Sequence, residues 1–491
     1  MLAEFKKAAS AFGSRARLRH AEGIRTSHLA NGIEVVTHNV PSIAHPLEGR
    51  YIDFTAEVQV GRSHEKDAYT HGISHLYEHV ALGPSAHVSA VDLGDGTIPR
   101  YLGTFNASTS LDATVYEAVV HPKSRKPALF ALSDKVCRPT FSPGFLETEK
   151  RLIEAERIDA QAQPAKKTMA LGQSIAFGAA PHHHDVLGLR DTIQSISLEE
   201  LQRFRNEYYR SGQVVIAAEG PVRHEEVVKL VKEWFQLPVG ERKPPVMHEY
   251  RGGYAERAVA GNEGATISLG FNCPTDADHP AIHVAGLAHG LSPVLNKAFR
   301  ESGLAYRVDT SSNSEGNITM LTIRYTTAVA DAEKSISLVR DVLDQTMNGP
   351  TVKAPGLHDW LAHPLQMAKT LRPGYRHAYS DLLFHPLRTA QALLRNRVER
   401  RGAKNLAHDL MRKGEIPSAN RDLHAFLATT EQDKANMVRR MRQFRVSVLV
   451  EGNVSGFPDY GHIREQLELP TGPVAATPRR QGTSAPTPER G

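Results

Sequence analysis

His75-Leu76-Tyr77-Glu78-His79 places two imidazoles and a carboxylate within five residues. On a helix, His75 and His79 stand one turn apart and Glu78 lies beside them on the same face. Two neutral imidazoles at that spacing can bind one Zn2+, and the adjacent carboxylate can reach a water on the metal. The pattern His-x-x-Glu-His therefore suits metal-assisted hydrolysis, in the reverse of the commoner order His-Glu-x-x-His. With 25 His in 491 residues, the pentapeptide needs support from its surroundings.

A catalytic zinc site needs a third protein ligand and an open position. Ser142-Pro143 reads as an N-cap followed by proline at the first helical position. In the helix that follows, Phe145, Glu149, Leu152, Ile153 and Glu156 fall on one stripe, so both carboxylates point inward, where lone charges are costly. A metal at one of them removes that cost, and so does pairing with a buried Arg or Lys. Glu147 and Glu154 lie off the stripe and read as surface charges. His182-His183-His184-Asp185 reads as a surface loop, because consecutive His side chains do not face one ion without a tight turn. His283 and His289 lack the metal spacing and an intervening Glu, so the second half is expected to be metal-free. Tyr208-Tyr209 is expected to pack a helix end against a sheet.

The elements that position these groups form two series. Val214-Val-Ile-Ala-Ala-Glu-Gly-Pro-Val222 and Val446-Ser-Val-Leu-Val-Glu-Gly-Asn-Val454 are β-branched strands with the same ending, as duplicated domains would have. Strand patterns at 33–37, 52–60 and 114–120 mix with helical ones at 71–81, 143–160 and 198–208. Strands at 266–271 and 318–325, with several long helices, repeat the mixture. The predicted class is α+β, with two homologous domains of mixed sheet plus helices joined by a linker. The expected divisions are a basic arm at 1–25, a motif-bearing domain at 26–236, a proline-rich linker at 237–252, a second domain at 253–469 and a disordered tail at 470–491.

Length and composition agree with two globular domains. Hydrophobic residues make up 40% and charged ones 23%. No run of apolar residues suits a membrane span or a signal peptide, and a net charge of +5 with no basic stripe argues against nucleic acid as a partner. Cys137 and Cys273 supply neither a disulfide framework nor a metal site, which fits a cytoplasmic setting. The basic N-terminus admits a transit peptide into the mitochondrial matrix as the alternative.

Several segments together resemble the M16 family of zinc peptidases, which includes pitrilysin, insulin-degrading enzyme and the mitochondrial processing peptidase. They are Leu29-Ala-Asn-Gly-Ile33, Gly72 to His79, Asn106-Ala-Ser-Thr-Ser-Leu-Asp-Ala-Thr-Val-Tyr116, Glu149 to Glu156, and Phe299-Arg-Glu-Ser-Gly-Leu-Ala-Tyr306. The resemblance spans roughly residues 25 to 455. It implies two domains of the LuxS/metallohydrolase-like type and one Zn2+ per chain on His75, His79 and Glu156. It also implies Glu78 as general base and Glu149 as a carboxylate orienting a ligand. Asn106 and Ala107 would sit on an edge strand to which a peptide adds, and Arg300 and Tyr306 would contact the substrate or polarise its carbonyl from the opposite domain. After the motif the chain departs from the family pattern: Val80-Ala81-Leu82-Gly83-Pro84-Ser85 ends the helix early.

The expected function is a zinc-dependent metalloendopeptidase that cuts peptides or unfolded polypeptide segments in an enclosed chamber, as a homodimer or a heterodimer with an M16-like subunit. The alternatives are a non-catalytic subunit that keeps the fold and a dedicated precursor-peptide maturase.

Overall fold

A computed structural model describes residues 23–40, 51–65, 70–87, 104–177, 186–244, 246–259, 261–276, 281–348, 403–413 and 429–469. The expectations for the arm before residue 23, for His182 to Asp185 and for the tail from residue 470 lie outside these residues.

The first half contributes strands β1 (Ile24–His28), β2 (Glu34–Asn39), β3 (Ile52–Val58), β4 (Thr104–Thr109), β5 (Thr114–Val120) and β6 (Val214–Gly220). Its helices are α1 (Ile73–Leu82), α2 (Arg125–Cys137), α3 (Pro143–Ala162), α4 (Pro164–Phe177), α5 (Arg190–Ser195), α6 (Leu198–Tyr208) and α7 (His224–Trp234). The second half adds β7 (Gly253–Ala258), β8 (Gly264–Asn272), β9 (Val308–Glu315), β10 (Ile318–Ala328) and β11 (Val446–Gly452). Its helices are α8 (Ala281–Glu301), α9 (Ala332–Asn348), α10 (Ala403–Lys413), α11 (Glu431–Met441) and α12 (Tyr460–Gln466).

The first sheet runs β1-β2-β6-β3-β5-β4 and the second β7-β11-β8-β10-β9. Apart from β1 they match strand for strand. β6 pairs in parallel with β2 and antiparallel with β3, as β11 pairs with β7 and β8. The repeated Glu-Gly has a backbone cause. Gly220 and Gly452 close the two central strands at φ 131° and 113°, where a Cβ would strike the carbonyls of Tyr51 and Gly264 at 2.7 and 2.4 Å. The fold is α+β with two corresponding domains.

Every residue of β6 and β11 is buried, so both faces of each sheet are covered at its centre. On the inner face of the first sheet, Val214, Ile216 and Ala218 join Phe54, Ala56, Tyr116, Leu76 and Tyr77 in the main core. Tyr209 donates to or accepts from Tyr116 at 2.7 Å, and its ring lies 4.3 Å from that of Tyr77, so the tyrosine pair packs α6 as expected.

The outer faces are covered by exchange. Val36, Val215 and Ala217 meet Ala403, Leu406, Ala407, Leu410 and Met411 of α10, a helix from the second half by sequence. In return α4 packs on β7 and β11, where Thr168 donates to Glu451 at 2.7 Å and Phe177 joins Tyr250 and Ile318. Each half thus supplies one helix to the other's sheet. Leu406→Ala removes a fully buried side chain from this exchanged layer. The expected cost is about 2–5 kcal/mol, read from a shift of the denaturant midpoint with the slope unchanged.

Candidate metal centre

Helix α1 carries the pentapeptide, and both its ends are held from outside. At the N-terminus Gly72 offers no capping side chain. The buried Glu65 carboxylate instead accepts from the backbone N–H groups of Gly72 at 2.9 Å and Ser74 at 3.1 Å. Burial pushes the Glu65 carboxyl up to about 7, against the pull of these N–H groups. At the C-terminus the helix stops at Leu82, and the Lys135 ammonium donates to the Gly83 carbonyl. A Cβ at Gly83 would lie 2.1 Å from the Phe145 ring of α3, so a side chain there would have to displace that ring. That close approach sets α3 directly against α1.

Helix α3 starts as predicted, with the Ser142 hydroxyl accepting from Phe145 N at 3.3 Å and Pro143 in the first turn. Its buried side is Leu146, Glu149, Lys150, Ile153 and Ala160. The predicted stripe is therefore slightly rotated: Leu152 is 51% exposed, because the core contact runs through Leu146 and Ile153. Glu147 and Glu154 lie off the buried side, the former paired with Lys150 and the latter with Arg157 and Arg190.

The two helices bring together His75, His79 and Glu156, whose donor atoms all lie within 4.8 Å of one another; they form the one such group of three or more found among the described residues. Glu156 Oε2 is 3.6 Å from His75 Nε2 and 3.7 Å from His79 Nε2. Zinc bonds of about 2.0–2.1 Å at tetrahedral angles separate ligands by about 3.4 Å, so the donor set fits that ion. His79 Nδ1 donates to Glu149 Oε2 at 3.0 Å, which turns Nε2 toward Glu156. The alternative of Arg or Lys partners is not what the structure has, since histidines face both carboxylates.

Electrostatics follow this arrangement. Burial, reinforced by the neighbouring His79 and opposed by Glu156, takes His75 down to about 4, so it is a neutral imidazole at neutral pH. Burial would lower His79 too, but the Glu149 hydrogen bond, the facing Glu156 and nearby carboxylate charges raise it to about 9. The facing His79 outweighs desolvation and lowers Glu156. Glu78, between α1 and β4, is raised by burial while Thr109 Oγ1 donates to its Oε2 at 2.6 Å.

Asn106 and Ala107 lie on β4, the last strand of the first sheet, opposite Glu117 and Tyr116 of β5. Arg300, in the last turn of α8, donates from Nε to the Tyr306 carbonyl at 3.0 Å and sits over the Tyr306 ring. Tyr306 is 86% exposed. Both line a depression with Glu263, Thr326 and Thr327, all from the second half. Sequence reasoning missed Thr109, Glu65 and Lys135. Only Thr109 carried a signal, an inward register one residue beyond Ser108 in a segment already singled out.

Residues 55–187 match the family described as Insulinase (Peptidase family M16), and residues 195–354 match the Peptidase M16 inactive domain. An uncharacterized zinc protease of Rickettsia felis is 26% identical over 319 residues, covering 62% of this chain and 74% of that protein. A probable mitochondrial-processing peptidase subunit beta of Arabidopsis thaliana is 30% identical over 211 residues, covering 43% of this chain but 38% of its own length. Among solved structures, the peptidase M16 inactive domain from Pseudomonas fluorescens superposes with a TM-score of 0.67 at 18% identity, covering 89% of this chain and all of that one. A protease from Helicobacter pylori gives 0.66 at 17% identity, covering 87% of this chain and 99% of that one. With more than half of its length matched by these two regions and with their paired-sheet fold, the chain belongs to peptidase family M16.

Proposed function

We propose that the protein is a zinc metalloendopeptidase, with zinc on His75, His79 and Glu156 and with Glu78 as the general base. The convergence of those three donors beside a buried, hydrogen-bonded carboxylate carries the reading. Relatives named as zinc proteases support it. Zinc held there supplies Lewis-acid polarisation of a carbonyl and acidification of water. Glu78 accepts a proton from the attacking water and delivers it to the departing amine nitrogen. Glu149 keeps the His79 ring oriented. Asn106 and Ala107 offer an edge to which an extended peptide adds, which favours peptides and unfolded segments over folded proteins. Arg300 and Tyr306 approach the substrate from the second half and offset charge on the carbonyl oxygen.

Partnering with a second M16-like chain, or with another copy, forms part of this reading and encloses the site in a chamber. It is supported by relatives named as the beta subunit of a processing peptidase. A non-catalytic subunit is the competing assignment, favoured by the match of residues 195–354 to an inactive domain.

Three measurements test the reading, the first of them against the non-catalytic subunit. Glu78→Gln should keep zinc and lower kcat on a quenched peptide library by about 10²- to 10⁴-fold; a zinc-loaded wild type that cuts nothing, alone or with an M16-like partner, favours the non-catalytic subunit. Glu149→Ala should weaken zinc binding by about 10- to 100-fold, measured by chelator competition. Protons and zinc compete for the His79 ring, which holds its proton up to about pH 9. Apparent zinc affinity should therefore rise with pH below that point, by about tenfold per unit for one displaced proton, and then level off. A flat profile between pH 6 and 8 would remove His79 from the ligand set.

A further inference from the structure

We infer that Thr109 is a positioning residue for Glu78, fixing one carboxylate oxygen so that the other is the one that exchanges protons; the inference rests on the peptidase reading above. Thr109 Oγ1 donates to Glu78 Oε2 at 2.6 Å, the one side-chain hydrogen bond to that carboxylate among the described residues. A glutamate on a helix has several rotatable bonds, and one short hydrogen bond to a rigid strand selects among its rotamers. Oε1 is left to accept a proton from water as the new C–O bond forms, and to give it to the amine nitrogen as the C–N bond breaks. Thr109 keeps its own proton throughout.

The strand is well anchored at this point. Alternation turns Thr109 toward α1, while Ser108 faces the other way and accepts from Lys404 of α10 at 2.9 Å. Thr109 pairs with Thr114 at the end of the hairpin, and Thr114 Oγ1 in turn donates to the Val60 carbonyl at 2.8 Å. The turn between them is closed by Ser110 N donating to the Ala113 carbonyl at 2.8 Å. Asp112 in that turn accepts from Ser63 Oγ at 2.8 Å and lies 2.9 Å from His248 Nε2, on the segment joining the two halves. The donor to Glu78 is therefore tied to the first core and to the inter-domain segment at once.

The test compares zinc-loaded full-length wild type, Thr109→Val, Thr109→Ser and Glu78→Gln for zinc content, Tm, and kcat and KM on a quenched peptide library. A crystal structure of Thr109→Val is read alongside. Thr109→Val should lower kcat by about tenfold or more with KM within about twofold, because only orientation is lost. Zinc content should be unchanged, the Glu78 carboxylate should be turned away from β4, and Thr109→Ser should restore most of kcat. A Thr109→Val protein with wild-type kcat, an unmoved Glu78, or a loss that follows zinc or Tm overturns the proposal, as does a serine variant no better than the valine one. A wild type that cuts nothing, or a fully active Glu78→Gln, sinks the peptidase reading instead. The crystal structure still decides whether Thr109 holds Glu78.

Discussion

The close contact of α1 with α3 is the constraint on which the rest depends. Two imidazoles and two carboxylates share the space between these helices, and any one of them alone would be expensive to desolvate. Each is instead matched: Glu149 with His79, and Glu156 with both rings. The geometry is set by packing rather than by the polar groups. Gly83 admits the Phe145 ring, while Leu76, Tyr77, Leu146 and Ile153 fill the core beneath. A polar cluster of this kind keeps its spacing only because the apolar side of the same helices leaves no slack.

The second architectural theme is reciprocity. A fully buried strand in each sheet, β6 in the first and β11 in the second, leaves two faces to cover, and neither half covers its outer face alone. Helix α10 supplies Leu406, Ala407 and Leu410 to the first sheet, and α4 lies across β7 and β11 of the second. Polar ties reinforce the exchange: Arg62 donates to Glu315 at 2.7 Å, and Gln173 reaches the same carboxylate. Buried ties of this sort fix how the halves meet more than they add stability.

Much of this was legible in the residues themselves. The pentapeptide named its helix. The Ser142-Pro143 start and the inward stripe narrowed the third ligand to Glu149 or Glu156, and the shared Val-x-x-x-x-Glu-Gly endings located both central strands. Such features are local, set by spacing and by the backbone demands of single residues. Leu152 was misjudged because a stripe drawn from spacing leaves the direction of burial uncertain by about one residue's rotation, 100°. Lys135 was invisible because its partner Gly83 lies 52 residues away, and so was the exchange of α4 and α10, whereas Glu65 was invisible because its nearby partners are backbone N–H groups that no side-chain spacing marks. Long-range contacts leave no period in the sequence.

Between the end of α3 at Ala162 and the start of α4 at Pro164 there is a single residue, Gln163. The helix that carries Glu149 and Glu156 is thereby spliced, almost without compliance, to the helix lodged on the far sheet. A small slide of that sheet has no slack loop in which to dissipate and bears on the pitch of α3. The spacing of the His75, His79 and Glu156 donor atoms thus inherits the mechanical tolerance of a seam in another part of the molecule, like a gauge whose needle is fixed to a distant wall.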